Sequence, residues 1–196
     1  THCCMGTSCA IADFDHNGKL TIWTQTQYPY NYKMDLAPAL GMAPGDIRVI
    51  QPPVGGAFGA KLDVYPYEPI AALLARKTGR PVKVMYSREE EFKASPTRQT
   101  AIIHMRTGCK RDGTLTFRTA DVLLDNGAYT SWGPTIPVIM MRTTSGHYRV
   151  PVVDFRARAI YTNNPYAGAF RGYGNVQTTF ATAQQTDRLA DLVDIT

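Results

Sequence analysis

Two short glycine-rich stretches constrain this chain most: GGAFGAK (residues 55–61) and AFRGYGN (residues 169–175). Each gathers glycines around a single Phe or Arg, and each follows a run of strand-forming residues. Glycine reaches positive φ at little cost and lets another group come close to its N–H. A strand that ends in such a loop offers main-chain donors to a bound group, and anionic or heteroatom-rich cofactors are held in this way. Plain structural turns use the same composition, so the loops alone leave both readings open.

The remaining sequence supplies the frame around them. Residues 10–15 and 19–25 alternate apolar and polar side chains about Asn17-Gly18, the signature of a tight hairpin. A helix is predicted over residues 31–40, stopped by Gly41, and a buried strand over 47–51 runs into the first loop. Pro66 and Pro69 open a second helix, Ile70, Leu73 and Leu74 give it helical spacing, and Arg76, Lys77 and Gly79 close it. A strand over 81–86 follows, and Ser87 with Glu90 resembles a capping box. Residues 99–110 and 114–125 pair as a long hairpin about Asp112-Gly113. The segment 126–146 is long for an idle connector, so it is either functional or partly helical. A strand over 152–162 leads to the second loop, and a last helix starts near Asn175 and continues through Leu189 and Leu192. The sum is an α+β fold of mixed and antiparallel sheets with packed helices, a single domain over residues 1–196 without internal repeats.

Several function classes fall away on composition. The net charge of +5 is not gathered into a basic stripe, which argues against a nucleic-acid partner. No apolar run approaches the roughly 20 residues of a membrane span. A start at Thr1 without methionine, and an end at Thr196 within a predicted helix, read as a piece of a longer polypeptide. Cys3, Cys4, Cys9 and Cys109 lack a zinc spacing and read as reduced, buried thiols of a cytoplasmic protein. The four histidines are scattered and no GxSxG occurs, so hydrolytic chemistry has no support. Glu89, Glu90 and Glu91 read as a solvated helix face. Ala60-Lys61-Leu62 lacks the Gly-Lys-Ser/Thr of a phosphate loop. Gly172-Tyr173-Gly174 lacks the third glycine of a dinucleotide fingerprint, where Gln177 stands.

The order of the parts carries more than either loop. TQTQ (24–27), DIRVIQPPVGGAFGAK (46–61), RKTGRPVKV (76–84), LLDNGAY (123–129) and NNPYAGAFRGYGN (163–175) follow one another along nearly the whole chain. In that series the chain resembles the molybdenum-binding subunit of the xanthine dehydrogenase/aldehyde oxidase family, and within it the first of two cofactor-binding domains of the large subunit. The resemblance implies an oxidoreductase that hydroxylates an electron-poor carbon of an N-heterocycle, aldehyde or aryl-CoA type substrate. It implies molybdopterin or molybdopterin cytosine dinucleotide with molybdenum as cofactor. Iron–sulfur clusters and FAD are expected on partner subunits or domains, next to the remainder of the large subunit.

Residue roles follow from the same resemblance. Gln27 matches the glutamine that hydrogen-bonds an oxo ligand of the metal. Gly56, Ala57, Phe58 and Gly59 match the loop whose N–H groups meet the metal's oxygen ligand and the pterin dithiolene. Arg171 matches a second-loop arginine that contacts the cofactor. Leu62 and Tyr173 fall at substrate-pocket positions. No residue here matches a direct metal ligand or the catalytic glutamate, so the isolated piece is expected to be inactive. Ala57 and Ala60 replace glycines of the common loop, and Leu62 stands where purine-oxidising members carry a glutamate. Two other readings accompany this one: a stand-alone cofactor-binding module without catalysis, and a dinucleotide-binding oxidoreductase built on the second loop.

Overall fold

The computed structural model describes residues 1–194, which divide into two compact units, Thr1–Pro96 and the described residues from Thr97 onward. In the first unit, β1 (Cys9–Phe14) and β2 (Leu20–Thr24) form the expected hairpin. Helix α1 (Pro29–Leu40) then carries the chain over to β3 (Ile47–Ile50), which lies parallel to β2 with Leu20 opposite Ile47 and Trp23 opposite Ile50. Strand β4 (Val82–Met85) adds on the far side, giving the order β3-β2-β1-β4. Alternation places Ala10, Ala12, Leu20 and Ile22 on the face that is fully buried, together with Tyr32, Leu36 and Leu40 of α1.

Helix α2 (Tyr67–Thr78) shows how a spacing can mark a helix and misplace its core face. Ile70, Leu73 and Leu74 are 42–48% exposed, while Tyr67, Glu68, Ala71, Ala72 and Ala75 are buried. The small alanines let the helix lie close to the sheet, and the buried Glu68 at its first turn sets its rotation. Helix α3 (Arg88–Ala94) opens on the capping box: Ser87 Oγ accepts from the Glu90 N–H and the Glu90 carboxylate accepts from the Ser87 N–H.

The second unit is a three-stranded sheet in the order β5-β6-β7. Strands β5 (Ala101–Cys109) and β6 (Leu115–Gly127) are the antiparallel hairpin, and β7 (Val152–Tyr161) lies parallel to β6. The segment 126–146 is partly helical, as one of its two expectations had it, through α4 (Ile136–Thr143). Helix α5 spans Asn175–Leu192; whether helix persists at Thr196 lies outside the described residues. Ala120, Val122 and Leu124 of β6 pack with Ile136 and Met140 of α4 to form the core. Arg118 is buried beside them, donating to the Thr144 and Ser145 carbonyls at the end of α4 and to the hydroxyls of Thr107 and Thr186.

The α+β architecture agrees with the sequence. The cysteines agree only in part: all four are free thiols, but Cys4 alone is buried, whereas Cys3 is exposed and Cys9 and Cys109 are half-buried. Cys3 lies in the terminal stretch, Cys9 opens β1 and Cys109 closes β5.

Candidate cofactor site

Topology brings the first group of residues together. Because β2 and β3 run parallel and side by side, the segment leaving β2 and the loop leaving β3 emerge at the same end of the sheet. Gln27 lies on the former and residues 55–61 form the latter, at the carboxyl ends of adjacent parallel strands where open sheets bind ligands. Three hydrogen bonds join them. The Gln27 N–H donates to the Lys61 carbonyl at 2.8 Å, and the Gln27 side-chain oxygen Oε1 accepts from the N–H of Gly59 at 3.0 Å and of Lys61 at 3.3 Å.

These contacts fix the amide's orientation, since both partners are donors and must face oxygen. The Nε2 hydrogens are thereby left as the outward donors of an exposed side chain. The same contacts engage the Gly59 N–H within the protein. Among the described residues nothing accepts from the N–H of Gly56 or Ala57, so these are the donors the loop offers outward. Phe58 sits at φ +53, a conformation costly for a residue with a side chain and concentrated at functional loops. Leu62 follows half-buried.

The stems are braced by charges that sequence reasoning passed over. The Lys61 ammonium, 1% exposed, donates to the Val54 carbonyl at 2.8 Å and to the Gly6 carbonyl and Gln25 Oε1 at 3.0 Å each. A Cβ on Gly55 would lie 2.9 Å from the Gly6 backbone, so only glycine lets the terminal segment press against the loop. Glu91, expected in solvent, is buried and accepts from the N–H and hydroxyl of Ser8. It holds the same terminal segment from α3.

Glu68 is buried beneath the loop's exit. Its carboxylate accepts from Thr24 Oγ1 at 2.5 Å and from the Tyr65 N–H at 2.7 Å. Burial pushes its pKa up to about 7, against the opposing effect of those two bonds. The hydroxyls of Tyr67 and Tyr32 also favour the charged form, although neither closes a full hydrogen bond on it. A lone acidic residue in the run YPYEPI was the only sequence signal.

In the second unit the glycine loop again follows the later strand of a parallel pair. Its stem is pinned by a bridge between Thr97 and Ala167, with Gly168 N–H donating to the Thr97 carbonyl and Ala167 N–H to the Asn126 carbonyl. Asp125 gathers the Thr162 hydroxyl, the Asn164 side chain and the Gly127 N–H, which hold its carboxyl below the usual range. At the loop itself, Arg98 donates from Nη2 to the Arg171 carbonyl at 2.6 Å and lies 4.3 Å over the Phe170 ring. Its Nη1 is buried with no partner among the described residues. The Arg171 side chain is exposed.

Tyr173, at φ +46, packs edge-on against Trp132 at 6.1 Å, and its hydroxyl meets Thr135 Oγ1 and the Trp132 carbonyl. Its ring therefore also belongs to the core of its own unit. Gly174 admits no side chain, since a Cβ there would lie 2.9 Å from Met140 and 3.1 Å from the Ile136 carbonyl.

The chemistry of these groups is uniform within each unit. Gln27 Nε2 and the Gly56 and Ala57 N–H groups of the first are donors, as are Arg98 Nη1 and the Arg171 guanidinium of the second. Either set suits an anionic, oxygen-rich group such as a molybdenum pterin. Among the described residues no three His, Cys, Asp or Glu side chains gather to hold a metal ion.

Comparison with known proteins agrees with this chemistry. A model of the molybdopterin cofactor-binding domain matches residues 1–196. The chain is 38% identical over 195 residues to the xanthine dehydrogenase molybdenum-binding subunit of Escherichia coli, covering 99% of this chain and 26% of that protein. It is 36% identical over 190 residues to the nicotinate dehydrogenase large molybdopterin subunit of Eubacterium barkeri, covering 97% and 44%. The aldehyde oxidoreductase structure from Desulfovibrio gigas superposes with a TM-score of 0.93 at 28% identity, over 97% of this chain and 21% of that one. The chain thus spans less than half the length of any of these relatives.

Proposed function

The chain belongs to the molybdopterin cofactor-binding domain family, and we propose that it contributes cofactor-holding residues to the large subunit of an enzyme that hydroxylates an electron-poor carbon. Bound there, molybdopterin or its cytosine dinucleotide with molybdenum supplies the two-electron redox chemistry. The chain's own residues bind and orient. Gln27 Nε2 would donate to an oxygen of the cofactor, the Gly56 and Ala57 N–H groups would add main-chain donors, and Arg171 would supply positive charge. The observation that carries this reading is the orientation of Gln27: its oxygen is engaged by Gly59 and Lys61, so a donor faces outward.

Names of similar proteins span xanthine, nicotinate and aldehydes. Leu62 narrows that range, because it offers no hydrogen bond to the polar edge of a purine, and an unpaired buried polar atom costs about 1–3 kcal/mol. Leu62 favours a less polar ring or aldehyde. Iron–sulfur and flavin partners would carry the electrons away, and the free thiols suit a reducing, cytoplasmic setting. No helix among the described residues is long and apolar enough to cross a membrane.

Steady-state assays of the loaded parent with xanthine, nicotinate and aromatic aldehydes test both statements. Gln27→Ala lowers kcat about 10–100-fold at unchanged molybdenum content, the usual effect of losing a partner that orients a metal's ligand. Full activity at full occupancy would overturn the role of Gln27, and xanthine as the best substrate by kcat/KM would overturn the role of Leu62.

A further inference from the structure

Lys61 belongs to the glycine loop yet has no hydrogen left for a cofactor. An ammonium carries three N–H donors, and Lys61 directs them at three oxygens: Val54 O, Gly6 O and Gln25 Oε1. Among the described residues no carboxylate pairs with it. A buried cation without a counter-ion is expensive unless its hydrogen bonds are complete. Its three acceptors come from three separate stretches: the terminal segment, the exit of β2 and the entry of the loop. Meanwhile the Lys61 backbone binds Gln27 twice, through its carbonyl and its N–H.

We infer that Lys61 is a positioning residue, whose ammonium clasps the exit of β2 and the loop entry so that its own backbone and Gly59 hold the Gln27 amide in one orientation. Gln25 is the side-chain half of this clasp, two residues before Gln27 on the same strand exit. Severing the ammonium–Gln25 bond loosens the turn that carries Gln27 while leaving the other two acceptors in place. The inference rests on the proposed role of Gln27 toward the cofactor, and its test separates the two.

Hydrogen–deuterium exchange of residues 55–62 is measured in the full-length large subunit made without cofactor, for Gln25→Ala, Gln25→Glu and Lys61→Met. Gln25→Ala speeds exchange at Gly59 and Lys61 by about fivefold to tenfold, the size of one lost hydrogen bond. Gln25→Glu, which keeps an acceptor for the ammonium, restores the wild-type rate, and α2 exchanges alike in both. Lys61→Met exceeds Gln25→Ala at the same two amides. In the loaded enzyme, Gln25→Ala shifts the Mo(V) paramagnetic resonance spectrum in the direction that Gln27→Ala does, and Gln25→Glu does not. Wild-type exchange in Gln25→Ala and Lys61→Met overturns the clasp. Accelerated exchange that Gln25→Glu fails to restore overturns it as well, since a side chain of the same size that still accepts from the ammonium would then not hold the turn. Accelerated exchange restored by Gln25→Glu, with Gln27→Ala fully active, supports the clasp and removes Gln27's role toward the cofactor.

Discussion

The two units build their glycine loops on one plan and secure them by different means. In each, a helix joins two parallel strands, the loop follows the second strand, an aromatic residue sits at positive φ, and a helix comes next. The first loop is fastened from inside by Lys61 and Glu68, both 1% exposed. The second is fastened from half-buried residues, by Arg98 on the Arg171 carbonyl and by backbone bonds of 3.0 and 3.3 Å at Thr97. Similar backbone geometry therefore rests on unequal energetics. Buried charged groups leave their partners unpaired when removed, whereas half-buried contacts are more readily replaced by water.

The inequality is measurable. The largest effect is expected for Lys61→Ala, which leaves three part-buried neutral acceptors unpaired, at about 1–3 kcal/mol each, and destabilises by about 3–5 kcal/mol in urea unfolding. A loss below about 1 kcal/mol would show that water reaches the clasp and would collapse the contrast between the units.

Glu68 gives the next effect, and its sign is unusual for a carboxylate. Its pKa in the folded chain is raised from 4.5 to about 7, so the native state keeps a proton that the unfolded chain has released. Stability is therefore highest below about pH 4.5 for this group, falls through the window up to about 7, and is lowest above it, by about 3 kcal/mol in all. The urea midpoint of Glu68→Gln should lose that pH slope. An unchanged slope would assign it to another group.

The smallest effect is expected at the second loop. Arg98→Ala removes one hydrogen bond and one cation–π contact and should cost about 1 kcal/mol in the same urea assay. A loss as large as that of Lys61→Ala would make the two loops energetically alike and sharpen attention on the buried Nη1.

What the sequence made legible was local. Asn17-Gly18 and Asp112-Gly113 marked their hairpins, Ser87 and Glu90 their cap, and Gly41 and Gly79 their helix ends, because each signal depends on neighbours within a few residues. The buried charges were not legible. Glu91 meets Ser8 across 83 positions, and Lys61 meets Gly6 across 55. Nothing in EEE or GAK reports a partner so distant. The exposed face of α2 was missed for a related reason: Ala71, Ala72 and Ala75 are weak hydrophobic signals, yet their small size lets the helix approach the sheet. The two loops stood out by their glycine content and Gln27 through the serial order of motifs, whereas the bonds that orient Gln27 required the fold.

The parallel pairing of β6 and β7 also sets an order in time. Strand β6 meets β5 across the tight turn at Asp112-Gly113, but it meets β7 only after residues 128–151 have been reeled in. Hairpins close in roughly 1–10 μs, while pairings between distant segments wait on the entropy of closing the intervening loop. The second glycine loop hangs from the end of β7, so it is among the last pieces of its unit to take shape. Pulse labelling during refolding should protect the amides of β5 and β6 before those of β7. Simultaneous protection would mean that the long crossover is already compact in the unfolded chain.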